Sequence, residues 1–497
     1  MSDRITKVIV LGGGSAGFMA ALALKTRLPH LDVTVIRSRD IGIIGVGEGS
    51  TPTLTSFLHG YLRVGLRRFI EVAQPTWKLG LKFLWGPRPH FWYPFGPGLD
   101  TKLRNLPRAV GFFCRDDVED ATPLSAMMAR DKVFPRAQGG GPEMHPAVAY
   151  HFENEKFVRF LEGAAGALGV RLVDDTVLDT VRGGEGVAGL RLASGAVESA
   201  DLYVDCSGFA SVLLGGAMGE PFVDFGASLF CDRAVVGGWD RGAGEPIRPY
   251  TTCETMDSGW CWQIEHERRV NRGYVYASAF AADDEAERQF RAANPRVGPT
   301  RVVRFKSGRY RNRWVGNVVA VGNASGLVEP LEATALGVIA AQSEALADTL
   351  WGSDRRPTPT QRRLVNDAHT RHWDAIRGFI ATHYRFNTRL DTPFWRHCRA
   401  ETDLAGATPV VGYFRENGPD NFWEPGLIDP FDEFKFRGYA TLLVGQSVPY
   451  GNPYDPPPAE RSAWEALRRS NAAAASRAMT VEESLAVLRS PTWKWTS

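Results

Sequence analysis

The sequence predicts an α/β protein: a doubly wound, Rossmann-like nucleotide-binding unit, an antiparallel β-rich region and a mostly helical C-terminal region, all closely packed. Three observations predict it. A buried strand at 8–11, a glycine-rich turn, a helix at 16–27 and a β-branched strand at 31–36 make an opening βαβ unit. Aromatic and β-branched residues dominate 235–280, which reads as a second, antiparallel sheet. From 334 onward the patterns are helical and amphipathic.

Taken in order, residues 40–150 are rich in Pro, Gly and aromatics, without a long helical period, and read as loops and strands laid over the nucleotide unit. Residues 148–168 bear a helix and 170–173 a strand, and 177–193 read as strands turning at Gly183-Gly184 and Gly186. Residues 202–204 form a strand entering a tight turn at Asp205-Cys-Ser-Gly208. A buried strand at 318–321 leads through a loop to a helix at 334–350; 360–379 is amphipathic and 449–458 is a Pro-rich loop. The expected division is a core over 1–350, with the substrate sheet inserted around 60–150 and 220–310, and a helical region over 351–497. There is no internal repeat.

At 497 residues the chain can bury a large core, and 44% hydrophobic with 23% charged residues is an ordinary globular balance. Lys+Arg 58 against Asp+Glu 56 gives a net charge of +2, without basic blocks or acidic tails, which argues against nucleic-acid or anionic-membrane partners. The six cysteines (114, 206, 231, 253, 261 and 398) form neither a C-x-x-C pair nor a zinc-like cluster, and suggest reduced thiols. No signal-peptide pattern and no uninterrupted run of 18 apolar residues is present. A cytoplasmic protein acting on a small neutral or amphipathic molecule is expected.

Gly12-Gly-Gly14-Ser15-Ala16-Gly17 matches G-x-G-x-x-G between strand and helix. Glycines there allow a sharp turn and close approach of a pyrophosphate seated on the helix N-terminus; the alternative is a turn without a ligand. An acid normally ends the second strand to bind a ribose hydroxyl, but Ile36 is followed by Arg37. Arginine there can meet a 2′-phosphate, which keeps NADPH in play beside FAD.

Three further segments carry chemistry. In Pro75-Thr-Trp77-Lys78-Leu-Gly-Leu-Lys82-Phe-Leu-Trp85, alternation on one strand puts the aromatics and leucines on one face and Lys78 with Lys82 on the other. The plain reading is two solvated lysines; the sharper one is a desolvated amine beside an aromatic site. In Gly259-Trp260-Cys-Trp262-Gln-Ile264, Trp260, Trp262 and Ile264 share a face, as sheet core or as the wall of a substrate cavity. Gly322-Asn-Ala-Ser-Gly-Leu327-Val-Glu329-Pro-Leu-Glu332-Ala-Thr334-Ala335 lies between a strand and a helix, where free N–H groups suit an anion and acids commonly serve as favourable N-terminal charge.

Together these segments resemble the flavin-dependent tryptophan halogenases and their indole-halogenating relatives. Ile44-Gly-Val-Gly47-Glu48-Gly-Ser50-Thr51-Pro is similar to a flavin-contacting loop of that family, and Thr76-Trp-Lys78 to the segment bearing its catalytic lysine. Trp260-Cys-Trp262-Gln-Ile264 matches W-x-W-x-I-P up to Glu265, which replaces proline. Glu329-Pro-Leu-Glu332-Ala-Thr334 resembles the segment of the catalytic glutamate and halide-binding amides. Asp205-Cys-Ser-Gly208 and the stretch from His383-Tyr384 to Trp395 extend the likeness over most of the chain.

The resemblance implies that reduced FAD, delivered by a separate NAD(P)H flavin reductase, and oxygen convert bromide or chloride into hypohalous acid. It implies catalytic roles for Lys78 and Glu332. FAD contacts fall at Gly12, Gly14, Ser15, Ala16, Gly17, Arg37, Gly47, Glu48, Ser50, Thr51, Gly322 and Leu327. Halide contacts fall at Thr334 and Ala335, and substrate contacts at Tyr93, Phe95, Trp260 and Trp262. Ala335 stands where tryptophan halogenases often have glycine, and Tyr93-Pro-Phe95 resembles a His-Pro-Phe substrate segment. Around 446–452 no aromatic and acidic cluster suited to an amino acid's charged end is evident, which points to a smaller indole or another electron-rich arene. The competing expectations are an NADPH-dependent aromatic monooxygenase and a non-catalytic flavin-binding protein.

Overall fold

The structure, a computed structural model, describes residues 4–42, 47–96, 118–144, 148–184, 186–420 and 423–495. The chain gathers into two units. The first comprises Met1–Gln74, Phe152–Gly226 and Phe305–Trp373; the second comprises Pro75–His151, Ala227–Arg304 and Asp374–Ser497.

The first unit is built on a six-stranded sheet. Strand β1 (Lys7–Leu11) runs into helix α1 (Ser15–Arg27), which returns to strand β2 (Asp32–Arg37). Across the sheet the order is Trp314–Val315, Val318–Ala320, Leu202–Asp205, β1, β2 and Arg171–Asp174. All pairings are parallel except that of Trp314–Val315. Both faces of such a sheet are covered, which is why Val8, Ile9 and Val10 form an unbroken apolar run and are fully buried. Helix α1 has no polar face: every residue from Gly17 to Leu24 is buried, since Ala and Gly let it pack closely on several sides. The expected hairpin is present as Val177–Gly183 paired antiparallel with Gly186–Leu192.

The second unit is built on a seven-stranded sheet. Its order is Arg301–Arg304, Arg233–Asp240, Arg269–Tyr276, Gly259–Glu265, Thr251–Met256, Gly80–Leu84 and Phe91–Pro94. The sheet is antiparallel, as the aromatic and β-branched composition suggests, except that Thr251–Met256 runs parallel to Gly80–Leu84. The helices Pro393–Glu401, Thr408–Asn417, Lys435–Gly445, Pro458–Ser476 and Val481–Leu488 belong to the same unit.

One local expectation is corrected. Residues 77–85 do not form one alternating strand. Thr76–Lys78 pairs antiparallel with Ala149–Phe152, whereas Gly80–Leu84 joins the seven-stranded sheet. At the break, Leu79 N–H donates to Pro249 O and its carbonyl accepts from Phe95 N–H, both at 2.8 Å. Gly80 permits the crossing, because a Cβ there would lie 2.2 Å from the Tyr93 carbonyl oxygen. Lys78 and Lys82 therefore sit in different sheets. Residues 40–150 also hold more helix than their composition suggests, including Leu66–Ala73 and Pro123–Met128.

Candidate active site

In the first unit the three motif glycines differ in what surrounds them. Gly12 has φ +123°, and a Cβ there would stand 2.2 Å from the Cys206 carbonyl oxygen, so only glycine fits the turn after β1. A Cβ at Gly17 would lie 1.9 Å from Gly12 O, which shows how closely α1 begins against the strand. A Cβ at Gly14 would meet nothing within 4 Å. The turn is therefore tight at its ends and open in the middle. Helix α1 begins at Ser15 with neither a side-chain cap nor an acid in its first turn, so its positive end is available to an anion.

The adjoining loops supply further groups. Gly47 takes φ +72°. Glu48 accepts from Asn154 Nδ2, and enclosure of its carboxyl pushes the pKa up to about 7 although part of the residue reaches solvent. Ser50 is buried, and the Thr51 hydroxyl is buried with no hydrogen-bond partner among the described residues. Gly322 has φ +67°, with Ile339 and Ala16 within 3.1 Å of a would-be Cβ, and its N–H donates to Gln342 Oε1 at 2.8 Å. Leu327 lies in the short strand Gly326–Leu327, facing Gly308. An open glycine cradle, an uncapped helix start and an orphaned hydroxyl fit a dinucleotide such as FAD.

Arg37 ends β2, but its guanidinium is bound bidentately by Glu162 on helix Asn154–Ala167. Sequence reasoning missed Glu162, which carries no local signal: it reaches Arg37 only because the helix packs beside β2's end. Residues Ile44 to Val46 of the glycine-rich loop, and Cys114, lie outside the described residues. The five described cysteines, Cys206, Cys231, Cys253, Cys261 and Cys398, are all buried. Among the described residues no acidic, His and Cys group could hold a metal, and no helix is long and apolar enough to cross a membrane.

Glu329 and Glu332 are both buried. Ala333 adopts φ +55°, and its N–H donates to Pro330 O at 3.0 Å, so the segment turns sharply before the helix. Thr334 is the N-cap and Ala335 the first residue of helix Ala335–Gly352, which has no side-chain cap and no acid in its first turn. Uncapped N–H groups there suit a halide.

In the second unit Lys78 is fully buried, with its Nζ 5.1 Å from the centre of the Phe95 ring. Antiparallel register places Thr76 opposite His151 and Lys78 opposite Ala149, so Thr76, Lys78 and His151 share a face. Burial, then the Lys78 charge, push His151 well below its ordinary pKa, and its Nε2 lies 2.8 Å from Thr251 Oγ1. Thr76 donates to the Glu265 carbonyl. The Glu265 carboxylate, at the position of the motif's proline, is buried and bonded to Arg241, with Gln263 Nε2 at 2.6 Å.

Tyr93 is buried 6.0 Å, centre to centre, from the Phe379 ring. Trp260 packs 6.5 Å from Trp85 and 6.1 Å from Trp262, within an aromatic cluster that includes Trp395 and Tyr384. Trp262 lies flat on Gly273, where a Cβ would fall 2.0 Å from the indole ring. Both tryptophans are therefore built into the sheet's packing.

The whole chain is similar to known proteins in the same terms. The tryptophan halogenase family profile matches residues 7–451. Tryptophan 7-halogenase RebH from Lentzea aerocolonigenes is 34% identical over 427 residues, covering 80% of this chain and 79% of that protein. Tryptophan 6-halogenase ThaL from Streptomyces albogriseolus is 32% identical, covering 89% and 88%. Among solved structures, the lanthipeptide tryptophan 5-halogenase MibH superposes with a TM-score of 0.89 at 40% identity, covering 98% and 96%. The flavin-dependent halogenase BrvH from Brevundimonas sp. BAL3 gives 0.85 at 28% identity, covering 98% and 99%. With a buried lysine, an open glycine cradle and a match from the first strand to the C-terminal helices, this flavoprotein oxidoreductase belongs to the flavin-dependent tryptophan halogenase family.

Proposed function

We propose that the protein halogenates an electron-rich, indole-type ring with bromide or chloride, through hypohalous acid delivered to Lys78. The observation that carries this reading is the complete burial of Lys78 beside the Phe95 ring. An amine held there is shielded from water and set next to an aromatic surface on which a substrate ring can stack. When bound, reduced FAD from a separate reductase supplies the electrons with which oxygen converts halide to hypohalous acid and water. The residues proposed to hold it are Gly12, Gly14, Ser15, Ala16, Gly17, Gly47, Glu48, Ser50, Thr51, Gly322 and Leu327, with Arg37 acting beside Glu162.

Thr334 and Ala335 hold the halide at the start of their helix. Lys78 then binds the oxidant, by hydrogen bond or as a haloamine with loss of water. The ring attacks the halogen, and Glu332 stabilises the cationic ring and accepts its proton. Tyr93 and Phe95 orient the ring, and Trp260 and Trp262 restrict where it lies, so that one carbon is presented. MibH, by its name a halogenase of lanthipeptide tryptophan, supports an indole lacking a free amino acid's charged ends.

The test is mass spectrometry of products after incubation with FAD, a flavin reductase, NADH and bromide or chloride. Indole, free tryptophan and a tryptophan-containing peptide serve as substrates. A halide-dependent product with the bromine isotope doublet is expected from indole or the peptide. Hydroxylated product would replace this reading with a monooxygenase, and bound flavin without product from any arene would replace it with a non-catalytic protein.

A further inference from the structure

Backbone register in the seven-stranded sheet lines up one row of residues across five strands. Trp92 faces Lys82, Lys82 faces Thr252, Thr252 faces Gln263, and Gln263 faces Arg272. Trp260 and Trp262 are offset by one residue from Cys261 and Gln263, so they point to the opposite face. Four of the row, Lys82, Thr252, Gln263 and Arg272, form part of a cavity of about 370 Å³, lined also by Trp239, Arg248, Tyr250, Glu254 and Arg296. Neither tryptophan of the W-x-W-x-I segment nor Lys78 lines it.

The charges lining this cavity are four cations, Lys82, Arg248, Arg272 and Arg296, against one carboxylate, Glu254. Two of the cations are already matched. Arg272 is buried and fixed by Glu254 at 2.8 Å, Asn294 at 2.6 Å and Gln263 at 3.2 Å. Arg296 lies 5.0 Å over the Trp239 ring and pairs with Glu245 at 3.0 Å. The other two form the surplus. Arg248 reaches only one oxygen of Glu265, at 3.4 Å, and the other oxygen belongs to Arg241. Lys82, half-buried, stands 5.0 Å over Trp92 with no hydrogen-bond or ion-pair partner among the described residues. Its pKa is lowered first by burial and then by Arg248, while Asp131 and Glu119 pull weakly the other way.

Lys82 and Arg248 line the same cavity, and two like charges sharing a cavity are stabilised by an anion between them, because charge-assisted hydrogen bonds offset the loss of water. We propose that this cavity is a second ligand site, in which Lys82 and Arg248 hold the carboxylate or phosphate group of a small molecule. Its remaining part lies against Trp239 and Tyr250, whose rings give apolar walls. Thr252 adds a hydroxyl at the middle of the row, next to Lys82. The site is distinct from the halide position at Thr334 and Ala335, which belongs to the first unit.

The experiment is isothermal titration of FAD-loaded protein with inorganic phosphate and, separately, with glutarate, at constant ionic strength in sodium chloride. Loading with FAD keeps the titrant off the glycine cradle. Saturable binding of either anion is expected; phosphate alone marks a phosphate ligand, glutarate alone a carboxylate ligand, and both an oxyanion site of either kind. Lys82→Gln and Arg248→Gln are each expected to weaken binding by about tenfold or more, the scale of one lost charge-assisted contact. Lys82→Arg keeps the charge and is expected to retain binding, which separates loss of the site from loss of the fold. Absence of binding by both anions, or affinity within about twofold of the parent in the Lys82→Gln/Arg248→Gln double variant, overturns the proposal.

Discussion

Arg37 and Glu162 form a two-point ion pair at the end of β2, with Nη1 at 2.7 Å from Oε2 and Nη2 at 2.8 Å from Oε1. An arginine at this place in a dinucleotide fold is ordinarily free to meet a 2′-phosphate. Here its charge is matched by a carboxylate, and that carboxylate has lone pairs left for a ribose hydroxyl. The pair brings to the end of β2, from a helix distant in sequence, an acid that β2 itself lacks. FAD-loaded or not, the protein is expected to show no measurable NADP⁺ binding. Glu162→Gln is expected to raise NADP⁺ affinity by about tenfold or more and to weaken FAD. Fluorescence titration of both nucleotides measures this; an unchanged preference would remove Glu162 from the site.

Lys78→Ala is expected to abolish halogenation while FAD titration stays unchanged. Glu332→Gln is expected to lower turnover by tens- to thousands-fold, roughly the range for losing acid–base or electrostatic help. Product analysis by mass spectrometry reads both. Regioselective product from Lys78→Ala sinks its role, and unchanged turnover in Glu332→Gln makes that residue structural.

The motif glycines separate folding from binding. Gly17→Ala puts a methyl group into the Gly12 carbonyl and is expected to cost about 2 kcal/mol or more, together with FAD binding. Gly14→Ala has open space and an ordinary φ of −87°, so stability is expected to stay within about 1 kcal/mol while FAD binding falls. Urea unfolding and FAD titration of the two variants decide it. Equal FAD affinity in Gly14→Ala and the parent would show that no ligand approaches there.

Glu48 links pH to stability. Its pKa is raised to about 7 in the folded chain, so the folded state holds the proton more tightly than the unfolded one. Its contribution is therefore complete below about pH 4.5, declines as pH rises, and is lost by about pH 7. Relative to Glu48→Gln, the FAD-free protein is expected to lose roughly 3 kcal/mol across that window. Denaturant unfolding of both proteins at pH 4.5, 6 and 8 gives the difference, and a flat one refutes the assignment.

Glu265 replaces a proline yet fits, because Arg241 and Gln263 surround its carboxylate. Glu265→Ala leaves the Arg241 charge buried without its nearest partner and is expected to destabilise by about 3 kcal/mol. Replacing both Glu265 and Arg241 with Met is expected to recover most of that loss. Chemical denaturation of the single and double variants checks it; equal instability of both would place the cost in backbone geometry instead.

Much of the first unit was legible in the sequence. Buried parallel strands must be apolar on both faces, and a glycine turn between strand and helix has few alternatives, so β1, α1 and β2 announce themselves locally. The alternation of Trp260, Trp262 and Ile264 likewise marked their shared face. The run from Trp77 to Trp85 misled, because alternation holds within each of two short strands and does not record the crossing between them. A break at Leu79-Gly80 depends on Pro249 and Tyr93, both distant in sequence.

By itself, then, the sequence determined the α/β class, the nucleotide turn, the sheet's aromatic face and the family likeness, since each rests on residues near one another in the chain. Only the tertiary structure decided the rest. It gave Arg37 its partner Glu162, separated Lys78 from Lys82, enclosed Lys78 beside Phe95 and matched the Glu265 charge with Arg241. Those outcomes depend on burial and on contacts between distant segments. Charge and hydrogen-bond energies are set by what surrounds a group, and a linear sequence does not list its surroundings.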